Sequence, residues 1–158
     1  MIGTVREIAD SLRGARIAGA RVVSATGCFD LLHVGHLFVL ESAAILGDIL
    51  VVGVNSDRRV RVLKGPRRPI IPAADRMRML AALRCVHSVF EFDEDTPAEA
   101  LTVLRPDIHT KGAGWSAEMP ETEVVRSYGG RIEIIDGRIE STSDIISRVI
   151  ASHDASVA

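Results

Sequence analysis

Short apolar runs alternate along this chain with longer stretches whose apolar positions recur at helical spacing. Arg21-Val22-Val23-Ser24-Ala25 and Ile49-Leu50-Val51-Val52-Gly53-Val54 are rich in β-branched residues, and the second is the continuous run of a strand buried on both faces. Shorter strands are predicted at Ser88 to Phe92, Ile108 to Lys111 and Arg131 to Ile135. Leu37 to Leu46 puts Leu37, Leu40, Ala44 and Ile45 on one helical face, and Pro72 to Leu83 is a helix with Met77, Leu80, Ala81 and Leu83 apolar. Thr4 with Glu7 forms a capping box for a first helix whose apolar side is Val5, Ile8 and Leu12. Asn55-Ser56-Asp57 caps a helix over Arg58 to Leu63, Asp95-Thr96-Pro97 starts one that Arg105-Pro106 ends, and Glu121 to Tyr128 is stopped by Gly129-Gly130. Ser141-Thr142-Ser143 opens a last helix that ends near Ser152. The alternation predicts an α/β fold: a Rossmann-like, doubly wound sheet of about five mostly parallel strands with helices on both faces.

The 158 residues are read as one domain, 1–158, with no linker, repeat or low-complexity segment. Nineteen basic against 21 acidic residues leave a net charge of −2, so no polyanion partner and no nucleic acid is expected. The two cysteines, Cys28 and Cys85, have no metal-type spacing and fit free thiols in a reducing compartment. No apolar run approaches the roughly 20 residues of a membrane span, and the first residues lack a signal-peptide core, so a cytoplasmic protein without a membrane partner is expected. Charge is uneven locally: Arg58, Arg59, Arg61, Lys64, Arg67 and Arg68 crowd into one stretch, either a solvated face or a phosphate-contacting loop around Gly65-Pro66.

Candidate chemistry concentrates in Thr26-Gly27-Cys28-Phe29-Asp30-Leu31-Leu32-His33-Val34-Gly35-His36, between the first strand and a helix. Two imidazoles three residues apart at a helix N-terminus meet unpaired N–H groups and a favourable dipole, a setting for phosphate. His-x-x-His by itself is also a helix-cap pair or an i,i+3 metal site. In a parallel sheet, ligands bind outside the carboxyl ends of the strands. The segments that follow strands, 26–36, 55–69, 111–116 and 136–143, are expected to share that rim.

These motifs resemble the His-x-Gly-His nucleotidyltransferases of the cytidylyltransferase-like family, and among them the adenylyltransferases that make ADP-heptose from heptose 1-phosphate. The resemblance covers roughly Val22 to Ile150. It rests on the 26–36 stretch, Val54-Asn55-Ser56-Asp57, Lys64-Gly65-Pro66 with Arg68-Pro69, Asp75-Arg76-Met77, Leu104-Arg105-Pro106-Asp107, Lys111-Gly112 and the Ser141-Thr142 pair. It implies transfer of AMP from ATP, or of a nucleotide from another triphosphate, to a sugar 1-phosphate with release of pyrophosphate. His33, His36 and Lys64 would be catalytic. Thr26, Gly27, Cys28, Phe29, Gly35 and His36 would hold the nucleotide, with Phe29 packing beneath the turn. Arg76, Lys111, Gly112, Ser141 and Thr142 would complete that site. Asp30, Asn55, Asp57 and Lys64 would face the acceptor.

The resemblance also implies Mg2+ arriving with the triphosphate, with no protein metal ligand, and a homodimer. Asp30 reads equally as a cap of its own turn or as the orienter of His33, Arg76 as a pyrophosphate contact or a surface ion pair, and Trp115 as a stacking lid or a packing anchor. Gly114 stands where the group has an acidic residue, Ser143 replaces its second threonine, Ile139 replaces a glycine, and His109 and Thr110 replace aliphatic residues, which leaves the base and the sugar open. A cytidylyltransferase acting on glycerol 3-phosphate or a similar polyol phosphate, and a non-catalytic nucleotide-binding module, are the competing readings. Gly112-Ala113-Gly114-Trp115-Ser116-Ala117 also fits a loose dinucleotide fingerprint.

Overall fold

The computed structural model describes residues 1–116, 118–137 and 141–157. Five strands, β1 (Val22–Gly27), β2 (Ile49–Asn55), β3 (Ser88–Phe92), β4 (Ile108–Gly112) and β5 (Arg131–Ile135), form one sheet in the order β3-β2-β1-β4-β5. Every pairing is parallel, so all carboxyl ends share one edge. The helices are α1 (Val5–Ser11), α2 (Arg13–Ile17), α3 (Val34–Ala44), α4 (Asp57–Lys64), α5 (Ala73–Ala81), α6 (Ala98–Leu104), α7 (Thr122–Ser127) and α8 (Thr142–Val157).

Strand alternation divides the core into two layers. Val23 and Ala25 of β1 and Leu50, Val52 and Val54 of β2 pack with Leu40 and Ala43 of α3 and Leu80 of α5. Val22, Ile49 and Val51 point the other way and meet Ile8 of α1 and Ala100 and Leu104 of α6. Each fully buried aliphatic side chain stabilises the fold by about 2 kcal/mol relative to exposure. The Thr4–Glu7 capping box is present in full.

Several boundaries differ from the sequence reading. Helix α3 begins at Val34 rather than Leu37, because His33 takes the N-cap and its side chain accepts the His36 backbone N–H. Its buried stripe runs through Leu40 and Ala43, while Ile45 is 85% exposed just past the helix end. Lys64 closes α4 instead of entering the loop, and α8 continues to Val157.

Two features of the sheet interior limit substitution. Gly53 lies between Thr26 and Phe90 in register, and a Cβ there would sit 2.7 Å from the Phe90 ring and 3.0 Å from the Thr26 methyl. His109 of β4 is fully buried beside Ser24 of β1, with Nδ1 2.8 Å from the serine hydroxyl. Burial, helped by the nearby Lys111 charge, pushes this imidazole down to about 3, so it is neutral at physiological pH.

Gly53→Val is expected to cost about 1–3 kcal/mol by overpacking, read as a lower urea midpoint at unchanged slope. His109 gains no proton in the folded chain until near pH 3, whereas the unfolded chain protonates it near its ordinary 6.5. Its contribution is therefore complete above pH 6.5 and lost as pH falls toward 3. The urea midpoint is expected to drop over that window. In the double variant Ser24→Ala/His109→Val it should drop distinctly less, and an unchanged slope against pH would contradict this account.

Candidate functional site

Beyond β1 the chain winds to β2 and β3 on one side, then crosses to β4 and β5 on the other. Such a reversal marks the edge outside the carboxyl ends of β1 and β4, the crevice at which doubly wound sheets bind ligands. The loops after β1, β2 and β4 and the start of α8 all follow strand ends on this edge, as the sequence led us to expect.

The turn after β1 carries the histidines. At Gly27 a Cβ would stand 3.2 Å from the Phe29 ring, which would then have to shift. Phe29 takes a left-handed φ of 48°, is 6% exposed and packs under the turn, its ring 5.2 Å from that of His36. Gly35 is buried in the first turn of α3. The rings of His33 and His36 stack, with centroids 3.8 Å apart and planes 27° from parallel. Because His33 Nδ1 accepts a backbone N–H, the proton of its neutral ring belongs on Nε2. Burial, reinforced by the His33 charge and opposed by a hydrogen bond to the Leu31 backbone, pushes His36 down to about 4, so this ring is neutral at pH 7 and carries a single N–H. Cys28 lies beside them with Sγ 3.6 Å from Asn55 Oδ1, and burial raises its thiol against the opposing charge of Lys64.

Three of the expected ligand contacts brace the wall of the site. Arg76 is 0% exposed and donates to the carbonyls of Cys28 and Ile71 and to Asp57 Oδ1, 2.7 Å away, so it is neither a pyrophosphate contact nor a surface ion pair. Asp57, moreover, caps the start of α5 by accepting the Ala73 N–H at 2.8 Å through the same Oδ1 that pairs with Arg76, while its side chain stays 35% exposed. Asp30, 2% exposed, accepts the N–H groups of Ile70 and Ile71 and pairs with Arg68, so it neither caps its own turn nor orients His33. For Arg76 and Asp30 the reason is shared: a buried charge must be fully partnered. The strand-end loops supply those partners.

Part of the basic stretch is likewise committed. Arg58 pairs with Asp93 and Arg59 with Asp95. Arg61, Lys64 and Arg67 are exposed and form no ion pair among the described residues. Lys64 ends α4, and its charge opposes the rise of the Cys28 thiol.

Across the crevice, Lys111 extends from β4 and is 7% exposed. Its ammonium donates to Thr26 Oγ1 at 2.9 Å, meets Glu121 Oε1 at 3.0 Å and lies 4.9 Å from the centre of the Trp115 ring. Trp115 is 58% exposed, so it is not a packing anchor. Glu121 escaped the sequence reading: one carboxylate next to a helix start carries no periodic or motif signal. Ser141 caps α8, its hydroxyl accepting the Asp144 N–H and donating to that carboxylate, and Thr142 begins the helix. The glycines after β4 open no helix, since α7 starts only at Thr122, which removes the dinucleotide reading. Ala117, Ile139 and Glu140 lie outside the described residues.

Among the described residues no cluster of three or more His, Cys, Asp or Glu side chains is placed to hold a metal ion. The two nearby carboxylates, Asp30 and Asp57, are already spent on arginines and backbone. The described residues therefore do not fit a protein-held Mg2+. No helix among the described residues is long and apolar enough to cross a membrane.

Comparison with known proteins agrees with this geometry. The chain is 49% identical over 152 residues to the bifunctional protein HldE of Syntrophotalea carbinolica, covering 92% of this chain and 30% of that protein. It is 51% identical over 139 residues to the bifunctional protein HldE of Citrifermentans bemidjiense, covering 85% and 28%. The chain thus spans about 30% of the length of the curated relatives it matches. Among solved structures, a lipopolysaccharide core biosynthesis protein from Thermoplasma volcanium superposes with a TM-score of 0.62 at 28% identity, covering 78% of this chain and all of that one. Pantoate-beta-alanine ligase from Francisella tularensis shares the fold, with a TM-score of 0.58 at 12% identity, over 89% of this chain and 68% of that one. A family model described as cytidylyltransferase-like matches residues 24–149, and with the paired histidines at the strand-order reversal this places the chain in the cytidylyltransferase-like family.

Proposed function

We propose that this chain is a nucleotidyltransferase that moves AMP from ATP onto a sugar 1-phosphate, D-glycero-β-D-manno-heptose 1-phosphate in the reading carried by its motifs, giving ADP-heptose and pyrophosphate. The observation that carries the proposal is the stacked His33–His36 pair in the first turn of α3, beside the crevice between β1 and β4. Likeness to bifunctional HldE proteins and to a lipopolysaccharide core biosynthesis protein supports the choice of acceptor.

In this reaction an acceptor phosphate oxygen attacks the α-phosphorus, the bond to the β-phosphate bridge breaks, and pyrophosphate leaves. The attacking oxygen is already ionised near pH 7, because the second phosphate pKa is about 6. No general base is required, and catalysis consists of alignment and charge stabilisation. The N–H donors of His33 and His36 and the first-turn backbone amides of α3 serve the α- and β-phosphate oxygens. Lys64, without an ion-pair partner among the described residues, brings positive charge to the triphosphate or the acceptor phosphate. Ser141, Thr142 and the α8 N-terminus meet the triphosphate from the other side. Mg2+ belongs to this reading as a companion of the triphosphate, and no step is assigned to it. The same reading includes a homodimer, with exposed Val149 and Ile150 on α8 available for association, and a cytoplasmic location.

Pyrophosphate release measured with ATP, CTP, GTP and UTP, each with heptose 1-phosphate or glycerol 3-phosphate, tests the proposal. Release with ATP and heptose 1-phosphate is expected. Release with CTP and glycerol 3-phosphate would move the chain to polyol-phosphate cytidylyl transfer, and nucleotide binding without turnover would make it a binding module. His36→Ala is expected to lower kcat about 10²–10³-fold while leaving the far-UV circular dichroism intact. Near-normal turnover in that folded variant would remove the histidines from the mechanism.

A further inference from the structure

The Lys111 ammonium is the meeting point of three segments around the crevice: the end of β1 through Thr26, the loop after β4 through Trp115, and the start of α7 through Glu121. Lys111 and Glu121 are 7% and 3% exposed, so each depends on the other for charge balance. Among the described residues the other titratable group facing this carboxylate is His109, with Nε2 4.0 Å from Glu121 Oε1, and that imidazole is neutral and turned by Nδ1 toward Ser24. Lys111 is therefore the counter-charge of Glu121 among the described residues. Its three hydrogens are directed at Thr26, Glu121 and the face of Trp115, which leaves the lysine poorly placed to grip a phosphate. What the arrangement fixes is the indole, whose ring remains 58% exposed beside the crevice while a cation holds one side.

We propose that Glu121 is a positioning residue of the nucleotide subsite: through Lys111 it sets the pose of Trp115, and the open part of the indole is the surface against which the nucleobase stacks. The proposal rests on the nucleotide reading above and adds to it a specific function for a carboxylate outside the motif set. Stacking on an aromatic face tolerates different bases, so this part of the subsite supplies affinity, and the choice of base falls to other contacts.

Trp115 is the only tryptophan of the chain, which makes its emission a direct report on the subsite. The experiment titrates the full chain with ATP and Mg2+, following tryptophan fluorescence and, in parallel, calorimetric binding. Quenching that saturates at the calorimetric Kd is expected. Glu121→Gln should weaken ATP binding and raise its KM about tenfold, with kcat within about twofold, because the reacting phosphates are held elsewhere. Removing one member of a buried pair can disturb folding, so the double variant Glu121→Gln/Lys111→Met, uncharged on both sides, is measured beside it. It should keep the wild-type circular dichroism and urea midpoint yet retain the weakened ATP binding and the lost quenching. Wild-type quenching and affinity in the folded double variant would overturn the positioning function. ATP binding by calorimetry with unchanged tryptophan emission would overturn the stacking surface while leaving the transferase reading intact. Absence of calorimetric ATP binding would overturn both.

Discussion

A single buried guanidinium holds the candidate site together. Arg76 is fully enclosed, and its donors go to the Cys28 carbonyl at the end of β1, to Asp57 at the start of α4 and to the Ile71 carbonyl before α5. A charge removed from water in this way is tolerated only where protein dipoles and an anion replace the lost hydration. The three loops are therefore tied to one another by the requirement that Arg76 be satisfied. Asp30 applies the same constraint with the opposite sign, since its carboxylate binds two successive N–H groups of the loop before α5 and the Arg68 guanidinium. The turn with the histidines is thus braced from behind before any ligand arrives, which is the preorganisation that phosphoryl chemistry without a general base depends on.

That bracing sorts the charged residues of the rim. Arg58, Arg59, Arg68 and Arg76 are neutralised internally, whereas Lys64, Arg61 and Arg67 face solvent. On the facing side Lys111 is neutralised by Glu121. The histidines follow the same logic. Two imidazolium rings stacked at 3.8 Å in a half-buried turn would repel each other, and His36 avoids this by staying neutral down to about pH 4. A neutral ring still donates one hydrogen bond, and the His33–His36 backbone contact decides which nitrogen of His33 does so.

The fold was legible because its signals are local and repeated. Strands over Ser88–Phe92 and Arg131–Ile135, the Thr4–Glu7 box and the Ser56 cap all stand where side-chain type and spacing put them. The start of α3 was read three residues late, because a histidine is an uncommon N-cap and the apolar period begins only after it. Ile45 was placed on the buried face by spacing alone, and the helix ended before its side chain could reach the core. Within the site, Gly27, Phe29 and the two histidines were legible from the compact turn they form. Arg76, Asp30 and Asp57 were found as important positions, but apart from the Ile71 carbonyl beside Arg76 their partners lie from 16 to 48 residues away, and no local pattern encodes such a pairing.

The sequence by itself determined the succession of strands and helices, the histidine-bearing turn after the first strand and the family to which that turn points. These follow from backbone propensity, side-chain period and short motifs, which act over a few residues. Tertiary structure alone decided which charges are spent on the scaffold and which face the crevice. It made Arg76 and Asp30 struts, left Lys64 exposed, and set Glu121 against Lys111. The physical reason is that desolvation and partnering are properties of a position in space. Whether a carboxylate or guanidinium binds protein or substrate is settled by which other groups the folded chain brings within 3 Å of it.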